Sequence, residues 1–224
     1  SFPRPMDEGL QRHSLNVALL NAMQAEWLGL KGAEIKVYTL AGLLHDIGKT
    51  MIPEEILFAP RKLTQDEVMV MREHPVYSDS LLSKKFCEDI RLAARHHHEK
   101  LDGTGYPDGI SGEQISVIAR VTAISDIYDA MVSARSYKDS RLPLHVLNMF
   151  YDGEFEGLDR RLVMLFIKNM RQKYTDHEVV MSDGMKATIR YIPPNDAAHP
   201  VVQRDGVIRQ SDGEWYCKEM VTSF

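Results

Sequence analysis

This sequence has few cysteines and no excess of positive charge. Of 224 residues only two are cysteines, Cys87 and Cys217, and they lie too far apart to form a Cys-x-x-Cys metal site. Such low cysteine content is typical of reducing compartments, so we expect both thiols to be free. Acidic residues outnumber basic ones, 32 to 27, and the net charge is −5. This charge argues against binding of a nucleic-acid polymer by electrostatic attraction.

Long apolar runs are also missing. No stretch approaches the roughly 20 apolar residues that a membrane-spanning helix needs, and no signal peptide is visible. We therefore expect a cytoplasmic protein, with no membrane contact in this chain. The composition, 44% hydrophobic and 26% charged, is that of a globular protein long enough to bury a sizeable core.

Two different periodicities divide the chain. Up to about residue 176, apolar residues recur at helical spacing, and Thr64-Gln65-Asp66-Glu67 has the pattern of a capping box that begins a helix. From His177 onward, three Asp-Gly pairs alternate with short β-rich runs, which indicates hairpins. The sequence predicts a mainly α protein, with a helical bundle in residues 1–176 and a small antiparallel β appendage in residues 177–224.

Histidines and carboxylates cluster where helices are expected to end. His96-His97-His98 leads into a loop with two glycines, a tyrosine and a proline. His45 and Asp46 stand at the inner end of a buried helix, where a carboxylate needs a partner or a metal. Pairing of Asp46 with Lys49 is the structural alternative, and each histidine taken alone is more simply explained as a core side chain.

The joint placement of these residues favours a metal site, because helix bundles build such sites from inward side chains. Asp126 and Asp129 share a face of a later buried helix, where two carboxylates would repel each other without a cation. Seven N and O donors suit two metals that share a carboxylate, and a mixed imidazole and carboxylate set is typical of Fe, Mn, Ni or Zn. Two-metal sites hydrolyse phosphate esters. The candidate ligands are His13, His45, Asp46, His74, His97, His98 and Asp126.

Together these motifs resemble the HD superfamily of metal-dependent phosphohydrolases and its HD-GYP branch. The resemblance covers about residues 10–175 and implies an all-helical HD-type domain that hydrolyses cyclic di-GMP to pGpG and/or GMP. Some members act on cyclic GMP-AMP instead. The motifs that carry it are His45-Asp46-Ile47-Gly48-Lys49, His97-His98-Glu99 with Asp102-Gly103-Thr104-Gly105-Tyr106-Pro107, and Asp126-Ile127-Tyr128-Asp129-Ala130.

The resemblance also implies a role for each matched residue. Two divalent metals are expected, with iron first and manganese, nickel or zinc as alternatives, since Gly9 replaces the Glu that supports a third metal in some members. One metal would be held by His13, His45, Asp46 and Asp126, with Asp46 as the bridge, and the other by His74, His97 and His98. Asp46 and Lys49 would be catalytic. Substrate would be bound by Lys49, Tyr106, Arg135 and Lys138.

Three alternatives stay open from the sequence. Arg135 and Lys138 are either a clamp on phosphate oxygens or a solvated helix end, and Ala134-Arg135-Ser136-Tyr137 replaces the usual Asp-Arg-Pro-Tyr. The chain is either an enzyme or a catalytically silent cyclic-dinucleotide receptor that binds partners, such as diguanylate cyclase domains, through its Gly-Tyr-Pro loop. An HD hydrolase for cyclic GMP-AMP or another phosphate ester is the remaining possibility, although the Gly-Tyr-Pro motif argues against a mononucleotide.

Overall fold

The computed structural model describes residues 7–83, 85–133 and 142–221. Within these ranges the chain forms nine α-helices followed by five β-strands, which confirms the predicted fold class. The helices are α1 (Glu8–Trp27), α2 (Ala33–Leu44), α3 (Glu54–Leu57), α4 (Gln65–Met71), α5 (His74–Leu82), α6 (Glu88–His96), α7 (Val117–Val132), α8 (Pro143–Asp152) and α9 (Arg160–Tyr174). The strands are β1 (Glu178–Met181), β2 (Lys186–Tyr191), β3 (Val201–Arg204), β4 (Val207–Gln210) and β5 (Cys217–Met220).

The chain divides into two compact units. The first comprises the chain up to Ala130 together with Gly157–Asp159, and the second comprises Met131–Glu156 and the chain from Arg160 onward. Helices α8 and α9 therefore belong to the same unit as the strands. The predicted domain boundary between residues 176 and 177 is a different division, and it stays a prediction.

In the first unit, apolar side chains join α2 to α5 and α6. Ala41 and Ala93 are fully buried and pack with Ile118 of α7. Leu82 and Ile90 belong to a neighbouring cluster that packs against Leu40 and Leu44 of α2. Small residues at Ala41 and Ala93 let these helix backbones approach closely, so the helix ends that carry the histidines meet.

Helix α1 is joined to α7 by buried polar side chains rather than by an apolar seam alone. Asn21 Nδ2 donates to Thr122 Oγ1 at 2.9 Å, and Ser125 Oγ donates to Asn21 Oδ1 at 2.7 Å. Gln24 Nε2 donates to Ser125 Oγ, also at 2.7 Å. Buried hydrogen bonds of this kind are specific for one alignment. They fix the register of α1 against α7 and thereby the position of His13 relative to Asp126.

Local signals in the sequence set several element ends. Thr64 caps α4 as predicted, because its side chain accepts from the Glu67 amide while the Glu67 carboxylate accepts from the Thr64 amide. Gly184 and Gly206, each with φ of 80°, close the hairpins β1–β2 and β3–β4. The third Asp-Gly pair is not a hairpin, because β4 and β5 lie at opposite edges of the sheet.

The second unit contains one antiparallel sheet in the order β4-β3-β2-β1-β5. Helices α8 and α9 pack together through Phe150 and Phe166, whose ring centroids lie 5.9 Å apart. The inward residues of β1 and β2, such as Val179 and Ile189, are fully buried. Of the helices in the described ranges, none is both long and apolar enough to span a bilayer.

Candidate metal centre

The structure brings all seven predicted ligand residues together in the first unit. They form three overlapping groups, and within each group one potential ligand atom per residue lies within 4.8 Å of the others. The side chains come from α1, α5 and α7 and from the segments that follow α2 and α6. The groups are Asp46, His74, His97 and His98; His13, His45 and Asp46; and His45, His97 and Asp126.

Asp46 lies at the centre and faces both sides of the cluster. Its Oδ1 lies 3.2 Å from His74 Nε2 and 3.7 Å from His97 Nε2. Its Oδ2 lies 3.4 Å from His45 Nε2 and 3.8 Å from His13 Nε2. The carboxylate is almost completely buried. Two oxygens directed at two sets of imidazoles are the arrangement that a bridging carboxylate needs.

Three of the imidazoles are oriented by backbone carbonyls at the ends of helices. The last carbonyls of a helix have no partner within it, and here a histidine Nδ1–H donates to one of them at each of three helix ends. Because a carbonyl can only accept, Nδ1 carries a proton in each of these rings, and Nε2 faces Asp46. The pairs are His45 with Gly42 of α2 (2.7 Å), His74 with Met71 of α4 (2.8 Å) and His97 with Ala94 of α6 (2.9 Å).

The inward atoms of this cluster fit a bound cation. Nε2 of His45, His74 and His97 and Oδ1 of Asp46 are buried and have no hydrogen-bond partner in the described part of the chain. In the tautomer with its only proton on Nδ1, an imidazole Nε2 that faces a carboxylate oxygen at 3.2 Å would be an acceptor opposite an acceptor. A buried polar atom left unsatisfied costs about 1–3 kcal/mol. A metal ion among these donors would remove that cost for each of them.

His13 is held by a carboxylate instead of a carbonyl. Its Nδ1 lies 2.7 Å from Asp129 Oδ2, and its Nε2 lies 3.0 Å from Asp126 Oδ1. Asn16 Nδ2 donates to the other oxygen of Asp129 at 2.8 Å. A carboxylate behind a ligand imidazole fixes the ring and raises its basicity. Asp129 received no role from the sequence, although its spacing of three residues from Asp126 was the available signal.

The two sides of the cluster differ in protonation. Burial alone would lower the pKa of His13 and His45, but the carboxylates around them outweigh burial and raise these pKa values to about 9 and about 10. On the other side, burial and neighbouring imidazoles hold the pKa of His97 well below its usual range, and burial lowers that of His98 to about 4. At neutral pH the metal-free chain therefore holds imidazolium beside Asp126 and neutral imidazole beside Tyr106.

Lys49 is a fixed cation in the same cluster. Its Nζ donates to Asp46 Oδ2 at 2.5 Å, so the pairing considered from the sequence is present alongside the imidazoles. Burial disfavours the ammonium, but Asp46 and Asp126 outweigh burial and raise the pKa of Lys49. Lys49 and His45 in turn outweigh burial and hold the pKa of Asp46 well below its usual range. Lys49 is therefore protonated at neutral pH, so it can donate hydrogen bonds and cannot act as a base.

The glycine after the His-Asp pair allows two backbones to approach closely. A Cβ on Gly48 would lie 2.0 Å from the carbonyl oxygen of His74 and 2.5 Å from the amide nitrogen of Ser78. Ser78 Oγ accepts from the Gly48 amide at 2.8 Å and donates to the His45 carbonyl at 2.9 Å. The turn of residues 47–51 thus rests directly on α5, which places His74 opposite Asp46.

The Gly-Tyr-Pro loop folds back over the end of α6. A Cβ on Gly105 would lie only 2.4 Å from Glu99 Cα, so the loop passes closely beneath the chain that follows His98. The Tyr106 amide donates to the His98 carbonyl at 3.2 Å. The Tyr106 ring then stacks on the His98 imidazole, with centroids 4.7 Å apart and planes inclined by 20°. The peptide bond between Tyr106 and Pro107 is cis.

Two acidic residues anchor the far end of this loop. Glu99 Oε1 accepts from the amides of Asp108 and Gly109 at 2.6 and 3.0 Å. Asp108 accepts two bonds of 2.7 Å from Arg95 and lies 3.0 Å from His96 Nε2. His96 therefore faces the loop anchor and belongs to none of the three ligand groups.

The structure describes two of the four predicted substrate-binding residues. Lys49 and Tyr106 border the cluster, and burial raises the pKa of the Tyr106 phenol, which stays protonated. Arg135 and Lys138 lie outside the described residues, so their roles stay predictions. Arg72 had no role from the sequence, yet its guanidinium carbon lies 5.0 Å from the centroid of the Tyr106 ring.

Comparison with known proteins agrees with this geometry. The sequence model of the HD domain matches residues 7–152. The cyclic di-GMP phosphodiesterase response regulator RpfG of Xanthomonas campestris pv. campestris is 46% identical over 151 residues, which cover 66% of this chain and 40% of that protein. The 3'3'-cGAMP-specific phosphodiesterase 1 of Vibrio cholerae is 37% identical over 165 residues, covering 73% of this chain and 38% of the relative. The chain thus spans about two fifths of the length of these relatives.

A solved structure shares the fold. Bd1817, an HDG"Y"P protein from Bdellovibrio bacteriovorus, superposes with a TM-score of 0.59 over 72% of this chain and 52% of its own, at 16% sequence identity. At this identity the likeness concerns the fold alone. The match to the domain model extends over well more than half of the sequence and includes every predicted ligand. The chain therefore belongs to the HD domain family, and its His-His-Glu and Gly-Tyr-Pro motifs place it in the HD-GYP branch.

Proposed function

We propose that this chain is a metal-dependent phosphodiesterase that hydrolyses a cyclic dinucleotide, with cyclic di-GMP as the first candidate and pGpG or GMP as the product. The observation that carries the proposal is the position of Asp46, whose two oxygens face two separate sets of imidazoles. The names of the relatives, which include cyclic di-GMP and cGAMP phosphodiesterases, support the substrate class.

The residues of the cluster would hold two divalent ions that share Asp46. The mixed imidazole and carboxylate donor set supports iron first, with manganese, nickel or zinc as alternatives. When bound, two such metals activate water and stabilise negative charge on phosphate oxygens. One ion would take His13, His45, Asp46 and Asp126, and the other would take His74, His97 and His98 with the second oxygen of Asp46.

The side chains around the metals would bind and orient the anionic substrate. Lys49, protonated beside Asp46, can donate a hydrogen bond to a phosphate oxygen or a proton to the leaving oxygen. The protonated phenol of Tyr106 offers one further donor at the edge of the cluster. Arg135 and Lys138 are proposed to contact substrate phosphates as well.

Cyclic GMP-AMP is the second candidate substrate. The relative that covers most of this chain among those compared is specific for 3'3'-cGAMP by name. Both cyclic dinucleotides present the same pair of phosphodiester groups to a metal cluster. They differ in one base.

Metal analysis combined with turnover tests this function. Purified protein, loaded with iron under reducing conditions or with manganese, is expected to cut cyclic di-GMP or cyclic GMP-AMP. Asp46→Asn should lower kcat by about 1,000-fold, because several kcal/mol of charge stabilisation depend on the metals, and should lower the metal content. Asp66→Asn, at an exposed position at the start of α4, is the matched control and should change neither quantity.

The result that would refute the enzyme assignment is specific. A metal-loaded chain that binds cyclic dinucleotide without cutting it, with affinity that survives Asp46→Asn, is a receptor and not a phosphodiesterase. Protein partners, diguanylate cyclase domains among them, are proposed to contact the exposed residues of the loop, such as Asp102 and Thr104. A cytoplasmic location is proposed as well, and the two free cysteines support it.

A further inference from the structure

Arg72 is a cation at the edge of the metal cluster that the reaction as proposed does not use. It follows the last residue of α4 and precedes His74 by two positions. Its side chain is exposed, and its guanidinium carbon lies 5.0 Å from the centroid of the Tyr106 ring. In the ranges that the structure covers, no carboxylate lies within ion-pair distance of Arg72.

Successive ring contacts link Arg72 to the metal ligands. The Tyr106 ring that carries the guanidinium is the same ring that stacks on His98 at 4.7 Å. It also lies 6.5 Å from the His74 ring. Arg72 and the His98 imidazole therefore contact the same aromatic ring. It stands outside the cluster but on the side of the His74 and His98 imidazoles.

A guanidinium held in this way is well suited to bind a phosphate. Contact with an aromatic ring uses the face of the planar group and leaves the N–H donors at its edge, which match two oxygens of one phosphate. Lys49, by contrast, already donates to Asp46 inside the cluster, where the phosphate that is cut would bind. The two cations thus lie at different depths, as two phosphates of one ligand would require.

We propose that Arg72 binds the second phosphodiester of the cyclic dinucleotide, the one that is not being cut, and that Tyr106 holds the guanidinium in place. This inference rests on the proposed function, since only a substrate with two phosphates uses both positions. It makes Arg72 a specificity-determining residue. Cyclic dinucleotides would be favoured over simple phosphodiesters because they reach a donor one aromatic ring away from the metals.

The experiment compares two substrates in four proteins. The substrates are cyclic di-GMP, with two phosphodiesters, and bis(p-nitrophenyl) phosphate, with one. The proteins are the wild type, Arg72→Ala, Arg72→Lys and the matched control Arg61→Ala, which removes an exposed arginine that pairs with Glu67 near the start of α4. The measured quantity is kcat/KM for cyclic di-GMP divided by kcat/KM for bis(p-nitrophenyl) phosphate. This ratio is expected to fall about 10- to 100-fold in Arg72→Ala, because a charge-assisted bidentate contact is lost.

The loss should lie mainly in KM for cyclic di-GMP, because the contact is made to a part of the substrate that does not react. Arg72→Lys should show a smaller fall in this ratio, since lysine keeps the positive charge but lacks the paired N–H donors of a guanidinium. Arg61→Ala should keep the wild-type ratio. An equal loss of kcat/KM on both substrates in Arg72→Ala would show that Arg72 acts through the Tyr106–His98 stack. Wild-type kcat/KM values on both substrates would show that Arg72 has no role. Either result overturns the proposal.

Calorimetric titration with cyclic di-GMP separates this inference from the proposed function. If the wild type binds the dinucleotide without cutting it and Arg72→Ala binds at least about 10-fold more weakly, the enzyme assignment fails and the role of Arg72 stands. If the wild type neither cuts nor binds any cyclic dinucleotide, both fail. If the wild type cuts cyclic dinucleotides and the ratio of kcat/KM values is the same in Arg72→Ala, only the proposed role of Arg72 fails.

Discussion

Adding one methyl group at Gly48 is the sharpest test of how the cluster is positioned. In Gly48→Ala the new Cβ would lie 2.0 Å from the His74 carbonyl oxygen, about 1 Å below the shortest separation that Cβ atoms tolerate. It would also lie 2.5 Å from the Ser78 amide nitrogen and 2.8 Å from its Oγ. Two of these three atoms are backbone, so no side chain can simply rotate away. The turn of residues 47–51 and α5 must move apart.

The size of the effect follows from these contacts. Overpacking of a tight site costs about 1–3 kcal/mol, and separating the two segments weakens the two hydrogen bonds of Ser78, each worth about 1 kcal/mol. We expect Gly48→Ala to lower the free energy of unfolding by about 3 kcal/mol or more. Urea denaturation of the metal-free protein measures it. Gly213→Ala is the matched control, because a Cβ there meets nothing within 4 Å, and it should stay within about 0.5 kcal/mol of the wild type.

Displacement of α5 should also separate His74 from Asp46, so metal affinity should fall together with stability. Competition with a chelator measures that affinity. A Gly48→Ala protein with the unfolding free energy and metal affinity of the Gly213→Ala control would refute the reasoning. It would mean that the close approach between the turn and α5 does not position the ligands.

Two further predictions concern protons and metals. His13 and His45, with pKa values of about 9 and about 10 in the metal-free chain, must lose a proton to bind a metal. Metal binding by His13 and His45 at pH 7–8 should therefore release about two protons. Metal affinity should rise with pH up to a pH of about 10. His97 and His98 are already neutral and should release no proton. Calorimetry in buffers of different ionisation enthalpy measures the release, and a value near zero would contradict the assignment. Asp129→Asn should weaken binding of the metal beside His13 by about 10- to 100-fold and leave the affinity of the other site unchanged. Stepwise metal titration measures both affinities. An equal loss at both sites would show that Asp129 does not act locally on His13.

The regular elements could be predicted because each has a local cause. The capping box at Thr64 and the Asp-Gly turns at Gly184 and Gly206 act within a few residues, and the structure confirms them. Helix α3 could not be predicted, because four residues are too few to show the helical repeat of apolar side chains. The Asp-Gly pair at 212–213 has the composition of a hairpin, but the strands on its two sides pair with different neighbours.

The membership of the site could be predicted, but its internal arrangement could not. Residue types and motif order predicted seven ligands, and the structure brings these seven side chains together. Their binding of metal stays a prediction. Which carboxylate oxygen faces which imidazole depends on distances between helices, and these are set by contacts such as Asn21 with Thr122, 101 residues apart. The support given by Asp129 and the contact of Arg72 with Tyr106 depend on the same long-range packing. No local pattern contains that information.

The three helix ends that orient His45, His74 and His97 also shape the electrostatic field at the site. A helix carries about half a negative charge at its C-terminal end, and α2, α4 and α6 all end beside this one cluster. Their combined potential favours cations before any side chain ionises, and it opposes an approaching phosphate. The anionic substrate proposed for this chain would therefore be held best once metals are bound, and its binding would then report on metal loading.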